Sequence, residues 1–325
     1  VSDTVKCTLC PADCRLENFQ VGACRARMNR EGKLITLVYG RVCAVHVDPI
    51  EKKPIFHMLP GSGAFSIATP GCNLTCRFCQ NWGISQAAPE KIRTEELPPE
   101  EVVRRAVGKG CRSVAYTYTE PSIYYEYMLD TARRAKEAGL RNVWVTAAYI
   151  NRKPLEQLIP FIDAANIDLK AFDEAFYRDI CGGKLKPVLE AIELTVSRGV
   201  LVELTNLVVP THNDSDRMLT DLCRWVIRTL GPDVPLHFSR FYPQYKMDNL
   251  PPTPVETIGR AYDIARAEGI NYVYTGNVPH DGRSDTCCPG CGGRLVGRVG
   301  YRVTHNALVG GACPTCRRTI PGVWS

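Results

Sequence analysis

Between residues 65 and 278, short apolar runs alternate with longer stretches in which apolar positions recur every three or four residues. The runs FSIA (65–68), SVAYTY (113–118), NVWVTA (142–147), AANIDL (164–169), VLVELTNLVV (200–209) and PLHFSRF (235–241) read as strands, with INYVYTG (270–276) as a candidate seventh. The stretches between them read as helices. EEVVRRAVGKG precedes the second strand, and SIYYEYMLDTARRAKEAG runs from a Ser cap to Gly139. EQLIPFI precedes the fourth strand. PVLEAIELTVSRG, DRMLTDLCRWVIRTLG and PVETIGRAYDIARAEG close on Gly199, Gly231 and Gly269. The strands are apolar along most of their length, as parallel strands covered by helices are. The expected fold is therefore α/β, a partial (β/α)6 TIM-type barrel. A doubly wound nucleotide-binding sheet fits less well, because no G-x-G-x-x-G follows the first strand. A cysteine loop stands there instead.

The flanks differ in composition. Residues 1–60 form a Cys-rich, Arg-rich lead with strand candidates LITLVYG (34–40) and RVCAVHV (41–47). Pro54, Pro60, Gly61 and Gly63 make 51–64 read as a link or loop. The barrel is expected over 61–282 and a separate tail over 283–325. With 45% hydrophobic residues in 325, a full core is available. The net charge of +6 comes from 40 basic and 34 acidic residues spread along the chain. It reads as a solvated surface, and nucleic acid is not expected as a partner. No run of 18 apolar residues predicts a membrane span, and VSDTVKCTLC has no apolar signal core, so a cytoplasmic location is expected.

Of sixteen cysteines, most fall in three tight clusters, which suits metal sites better than a disulfide framework. Cys43, Cys111, Cys181 and Cys223 stand alone and are expected to be small core hydrophobes. The decisive stretch is PGCNLTCRFCQNWGISQ (70–86), a C-x3-C-x2-C of Cys72, Cys76 and Cys79 with Phe78 before the last. Three thiolates hold three irons of a [4Fe-4S] cubane and leave the fourth open to a ligand. A structural site wants four protein ligands. The loop follows the first barrel strand, at the end where barrel active sites lie. A zinc site completed by a distant residue is the alternative. In the tail, Cys288-x2-Cys291 and Cys313-x2-Cys316 make a zinc-ribbon or rubredoxin-like pair of knuckles, with Cys287 adjacent. Zinc is the expected metal there, with rubredoxin-type iron as the alternative. Cys7, Cys10, Cys14 and Cys24 suit a closed tetrahedral zinc or a second, fully ligated cluster able to relay electrons. Their uneven spacing does not choose between the two; zinc is the expected metal, with the cluster as the alternative.

The central motif resembles the signature of the radical S-adenosylmethionine (SAM) superfamily. Further stretches are similar to pyruvate formate-lyase activating enzymes. TYTEP, DLK, VVPTHND, HFSRFYPQYKM and YVYTGN, with the cysteine-rich tail, look closer still to the radical SAM member of the AmmeMemoRadiSam system. The resemblance implies the partial barrel of that superfamily and SAM bound on the open iron. It implies reductive cleavage of SAM to methionine and a 5'-deoxyadenosyl radical, which abstracts hydrogen from a substrate. It assigns Glu120 of AYTYTEP to the SAM amino group, Lys170 and Asp168 of IDLKAFD to the SAM carboxylate and its pocket, and His237 to the neighbourhood of the adenosine. The activating enzymes' T-N-G turn is Thr146-Ala147-Ala148 here, with Val145 in place of their acidic residue, so the resemblance stops short of their cation site.

The expected function is that of a radical SAM enzyme, an oxidoreductase of the activating-enzyme kind. A low-potential electron donor such as flavodoxin or ferredoxin is implied as partner. The substrate is left open between a protein partner and a small metabolite. The rival from another class is a non-enzymatic zinc-knuckle module that binds nucleic acid or protein.

Overall fold

The structure, a computed structural model, describes residues 4–325; residues 1–3 of the expected lead lie outside the described residues. An eight-stranded mixed sheet organises the chain. Its strands are β1 (Ala44–Pro49), β2 (Gly63–Ala68), β3 (Ser113–Tyr116), β4 (Arg141–Thr146), β5 (Ala164–Asp168), β6 (Leu201–Val208), β7 (Leu236–Arg240) and β8 (Val273–Gly276). They lie side by side in chain order. β2 to β8 are all parallel, and β1 pairs antiparallel with β2 along one edge. The sheet thus has seven parallel strands where about six were expected, INYVYTG supplying the last. β1 and β8 stand at opposite edges of the strand order.

The crossovers are helical: α1 (Pro99–Gly108), α2 (Tyr125–Glu137), α3 (Arg152–Leu158), α4 (Leu185–Ser197), α5 (Asp216–Thr229) and α6 (Val255–Ala267). Each buries one apolar stripe on the sheet. α5, for example, buries Leu219, Leu222, Cys223 and Val226. Its start is fixed by Ser215, whose hydroxyl accepts from the Met218 N–H. The start of α2 differs from the reading of Ser122 as its cap. A short 3-10 turn, Pro121–Tyr124, precedes it, and the Glu120 carboxylate accepts from the Ser122 N–H. A charged cap satisfies that donor more strongly than a serine would.

Residues 51–64 are not a loose link. Ile50, Ile55, Met58 and Leu59 form a buried cluster with Ala64, Ala115, Val143 and Ala164 of β2 to β5. Asn166 of β5 donates to the Pro54 carbonyl at 2.9 Å, tying the segment down. The strand expected over 34–40 is confined to Lys33–Thr36, and that over 41–47 splits into Arg41–Val42 and β1.

The tail forms a three-stranded antiparallel sheet of β9 (Thr286–Cys287), β10 (Arg294–Val299) and β11 (Arg302–Asn306). It is welded to the main sheet by Phe56, Tyr272 and Tyr274, which share a core with Leu295, Val296 and Ile320. Arg298 of β10 is fully buried. Its guanidinium lies 4.2 Å over the Phe56 ring and donates to Phe56 O, Ser284 O and Thr286 Oγ1.

A second buried charge cluster joins β1 to the crossover side. Asp48 accepts from Lys53 at 2.6 Å, from Lys52 at 2.9 Å and from the Tyr118 hydroxyl. Burial works against this carboxylate, but the hydrogen bonds from Lys53, Tyr118 and Lys52 outweigh it and hold its pKa well below the usual carboxylate range. A pKa depressed on folding gives stability that is full above the unfolded value of about 4 and is lost as pH falls below it. Asp48→Asn should therefore cost about 3–5 kcal/mol at neutral pH by leaving Lys53 buried without its partner. Its stability should also fall less than the wild type's between about pH 5 and pH 2. Urea midpoints at several pH values check both; parallel curves for the two proteins would refute the assignment.

Candidate functional site

A cavity of about 940 Å³ opens at the carboxyl ends of the parallel strands, near the top of the roughly 300–1,000 Å³ range of ligand pockets. Cys72, Cys76 and Cys79 line it from the loop after β2. Tyr118 and Glu120 line it after β3, and Val145 and Thr146 at the end of β4. Asp168 and Lys170 enter from β5, Thr205 and Leu207 from β6, His237 and Ser239 from β7, and Thr275 to Asn277 from β8. Every parallel strand contributes, because chain-ordered parallel strands bring all their carboxyl ends to one side.

The cysteine loop is held from two directions. The Thr75 and Arg77 amides donate to the carbonyls of Cys181 and Ile180 at 2.8 and 2.9 Å, pairing the loop with the turn after β5. That turn leaves through Gly182 at φ +70°, a left-handed conformation glycine adopts without a Cβ clash. On the other side the Asn73 carboxamide donates to Tyr149 O at 2.8 Å. The sulfurs of Cys72, Cys76 and Cys79 are not drawn together as the ligands of a single ion would be. Among the described residues they belong to no set of ligand atoms lying within 4.8 Å of one another, whereas one tetrahedral ion with bonds of about 2.3 Å draws its sulfurs to about 3.8 Å.

Glu120 is 2% exposed and nearly saturated. One oxygen accepts from the Ser122 amide at 3.0 Å, the Ser122 hydroxyl at 2.6 Å and the Thr146 hydroxyl at 2.6 Å. The other accepts from the Ala147 amide at 2.8 Å and keeps a lone pair beside the cavity. The Thr146-Ala147-Ala148 turn thus serves to orient Glu120. Glu120 also stands near enough to Cys72 to help burial push that thiol's pKa far up. Lys170 bonds Asp168 at 2.6 Å and lies 5.8 Å from the Phe78 ring centre. Burial alone would lower the Lys170 pKa, but Asp168 and the Cys76 sulfur raise it well above its ordinary value, so the ammonium is a fixed positive charge in the cavity wall.

His237 is 4% exposed, and its Nε2 meets Glu203 Oε2 at 2.7 Å, so that nitrogen is already engaged. The other Glu203 oxygen accepts from the Phe56 and His57 amides at 2.7 Å each. Burial opposes the Glu203 carboxylate, yet His237, His57 and these amides lower its pKa below the ordinary value. Sequence reasoning passed over Glu203, although a charged residue inside the apolar run VLVELTNLVV was a signal. It also passed over Lys52, Lys53, Val299, Gly300 and Tyr301, which line the same cavity. The last three sit at the β10–β11 turn of the tail, a long-range contact with no local signature.

The lone cysteines behave unequally. Cys111 and Cys223 are buried, and Cys43 is half-buried. Cys181 is buried against Cys76. A hydrogen bond between the two thiols, aided by Lys170, lowers the Cys76 pKa against the effect of burial. Cys181 does not line the cavity.

In the tail, the sulfurs of Cys288, Cys291, Cys313 and Cys316 lie within 4.8 Å of one another, with contacts of 3.4 Å (Cys288–Cys316) and 3.6 Å (Cys291–Cys313). This group of four thiols can bind a metal ion. Backbone donors from Cys316 and Thr315 draw the Cys313 thiol down to about 6 against burial, toward the thiolate a metal takes. Cys287 is exposed and outside the group. Cys7, Cys10 and Cys24 are buried and Cys14 half-buried at the other end of the chain. Cys10 and Cys24 are each within electrostatic reach of Cys7, and Cys24 also of Cys14. No helix among the described residues is long and apolar enough to cross a membrane.

Comparison with known proteins places these features in context. The family model of the radical SAM superfamily matches residues 66–223. An uncharacterised protein of Methanocaldococcus jannaschii is 45% identical over 294 residues, covering 90% of this chain and 87% of that protein. The pyruvate formate-lyase-activating enzyme of Clostridium pasteurianum is 25% identical over 158 residues, covering 47% of this chain and 64% of the enzyme; the similarity is weak and partial. Among solved structures, Streptococcus suis SuiB bound to S-adenosylmethionine superposes with a TM-score of 0.53 at 14% identity. It covers 71% of this chain and 53% of that one, a likeness of fold.

Proposed function

This chain belongs to the radical SAM superfamily, and on that premise we propose that it is an enzyme that binds a [4Fe-4S] cluster on Cys72, Cys76 and Cys79 and S-adenosylmethionine in the cavity above them. The observation that carries the reading is the convergence of three cysteines, one buried carboxylate with a free lone pair and one buried ammonium on a single cavity. When bound, the cluster and SAM together supply one-electron cleavage to methionine and a 5'-deoxyadenosyl radical able to take a hydrogen atom. Glu120 is suited to receive the SAM ammonium through Oε2, and the Lys170 ammonium, steadied by Asp168, to face its carboxylate. His237 shapes the adenosine side of the cavity, its orientation set by Glu203. Arg298 holds the base of the tail hairpin, so that Gly300 and Tyr301 close one wall and limit solvent entry.

The chain-ordered parallel strands support reading the sheet as the partial barrel of the superfamily over 61–282, with the lead (1–60) and a zinc-binding tail (283–325) as attachments. The reducing electron is assigned to a donor of the flavodoxin or ferredoxin class. A cytoplasmic site of action is proposed with it. The weak, partial similarity to an activating enzyme favours a protein partner as substrate. The cavity volume also accommodates a small metabolite.

The test is direct. Anaerobically reconstituted, dithionite-reduced protein should convert SAM to methionine and 5'-deoxyadenosine without added substrate, and SAM should shift the electron paramagnetic resonance spectrum of its reduced cluster. A spectrum indifferent to SAM, with no 5'-deoxyadenosine, would return the chain to a metal-knuckle binding module.

A further inference from the structure

The two outer cysteine sets look alike in the sequence, four thiols each, but the fold arranges them differently. In the tail, four sulfurs crowd to within 4.8 Å, as one tetrahedral ion requires. The sulfurs of Cys7, Cys10, Cys14 and Cys24 converge without closing to that spacing among the described residues, and in this they match Cys72, Cys76 and Cys79. A methyl group placed on Gly22 would lie 3.7 Å from Cys14 Sγ and 3.9 Å from Cys24 Sγ, so these two sulfurs both stand beside the backbone of the same turn. A cubane holds each thiolate on a different iron and so spreads four thiolates wider than a single ion does.

The lead is also packed directly on the central loop. Gly71, one residue before Cys72, has φ +102°, and a methyl group there would fall 2.5 Å from the Cys24 carbonyl oxygen. The Asn73 side chain, one residue after Cys72, stands near enough to Cys10 to lower its thiol's pKa against the effect of burial. The Cys7–Cys14 turn is closed by the Cys7 amide on Cys14 O at 2.9 Å. It is docked by Asn151, which donates to Leu9 O and Thr8 O at 2.9 Å each. Residues on both sides of Cys72 thus touch residues of the second set.

We propose that Cys7, Cys10, Cys14 and Cys24 hold a second [4Fe-4S] cluster, not the zinc expected from the sequence. Four protein thiolates leave no iron open, so this cluster carries electrons and binds no substrate. The assignment stands on the geometry of the lead and does not depend on the function proposed for the central site.

Acid-labile sulfide in the reconstituted full chain is the measurement, because it is blind to the mononuclear ion of the tail. About eight sulfides per chain are expected, against about four for a single cubane. The variant with Cys72, Cys76 and Cys79 all changed to Ala should keep about four, together with a reduced-cluster resonance that SAM does not alter. Four sulfides in the wild type together with none in the triple variant would overturn the proposal, and a second zinc per chain would name the replacement. Failure of the central reading would show separately, as a wild-type spectrum unmoved by SAM while the triple variant still holds sulfide.

Discussion

Cys72→Ala, reconstituted anaerobically and reduced with dithionite, is expected to form 5'-deoxyadenosine at less than about one hundredth of the wild-type rate. Loss of a direct ligand should exceed the 10–100-fold typical of outer-sphere partners. Cys72 is the cleanest of the three positions. It is bounded by Gly71, packed against the Cys24 carbonyl, and by Asn73, which donates to Tyr149 O, and among the described residues no thiol hydrogen-bonds to it. Cys79 has Ser85 Oγ at 3.3 Å, a poor substitute ligand for iron. Cys76 is different, because the Cys181 thiol lies against it. Cys76→Ala is therefore expected to retain some cluster, and Cys76→Ala with Cys181→Ala to lose it. The measurements are iron and sulfide content, the response of the reduced spectrum to SAM, and product chromatography. A Cys72→Ala protein with wild-type turnover would remove the central loop from the active site.

That Cys181 stands beside Cys76 shows where sequence reading reached its limit. The parallel strands were legible because each is an apolar run between helical stretches that end on glycine, and βα alternation leaves few arrangements. The C-x3-C-x2-C loop was legible because metal ligation imposes local spacing. Contacts made across the fold carry no such spacing. Segment 51–64 reads as a link from its prolines and glycines, yet Ile50, Ile55, Met58 and Leu59 are buried under β2 to β5. Its backbone polar groups are satisfied by side chains far along the chain, Asn166 and Glu203. Tyr301 is in an ordinary hairpin turn by sequence, and only Arg298, drawn into the core over Phe56, turns that hairpin into a wall of the cavity. The two outer sets of four cysteines are the sharpest case: equal in count, they differ in how closely the backbone lets the sulfurs approach.

Glu203→Ala is expected to destabilise the protein by about 3–5 kcal/mol, the usual result of removing one partner from a buried charged network. Glu203 is wholly buried and is the hub between segment 51–64, β7 and the tail. Without it the Phe56 and His57 amides lose their acceptor, and His237 Nε2 loses the carboxylate that orients the ring. His57 cannot compensate. Burial lowers its pKa and keeps it neutral, so with Nδ1 facing Pro321 O at 2.6 Å it must donate there. Its Nε2 must then accept from the Tyr274 hydroxyl at 2.7 Å. Tyr274 in turn meets Thr286, which accepts from Arg298, so the loss propagates to the base of the tail hairpin. Glu203→Gln separates charge from connectivity. Its carbonyl can still accept from both amides, while its NH2 group faces a nitrogen that must switch tautomer to accept. The loss should be smaller, about 1–3 kcal/mol. Urea denaturation reads the stabilities. SAM affinity of the folded variants reads the displacement of His237, expected to weaken more for Ala than for Gln. Equal stability of the wild type and Glu203→Ala would mean that the tail and the cavity are not coupled through this carboxylate.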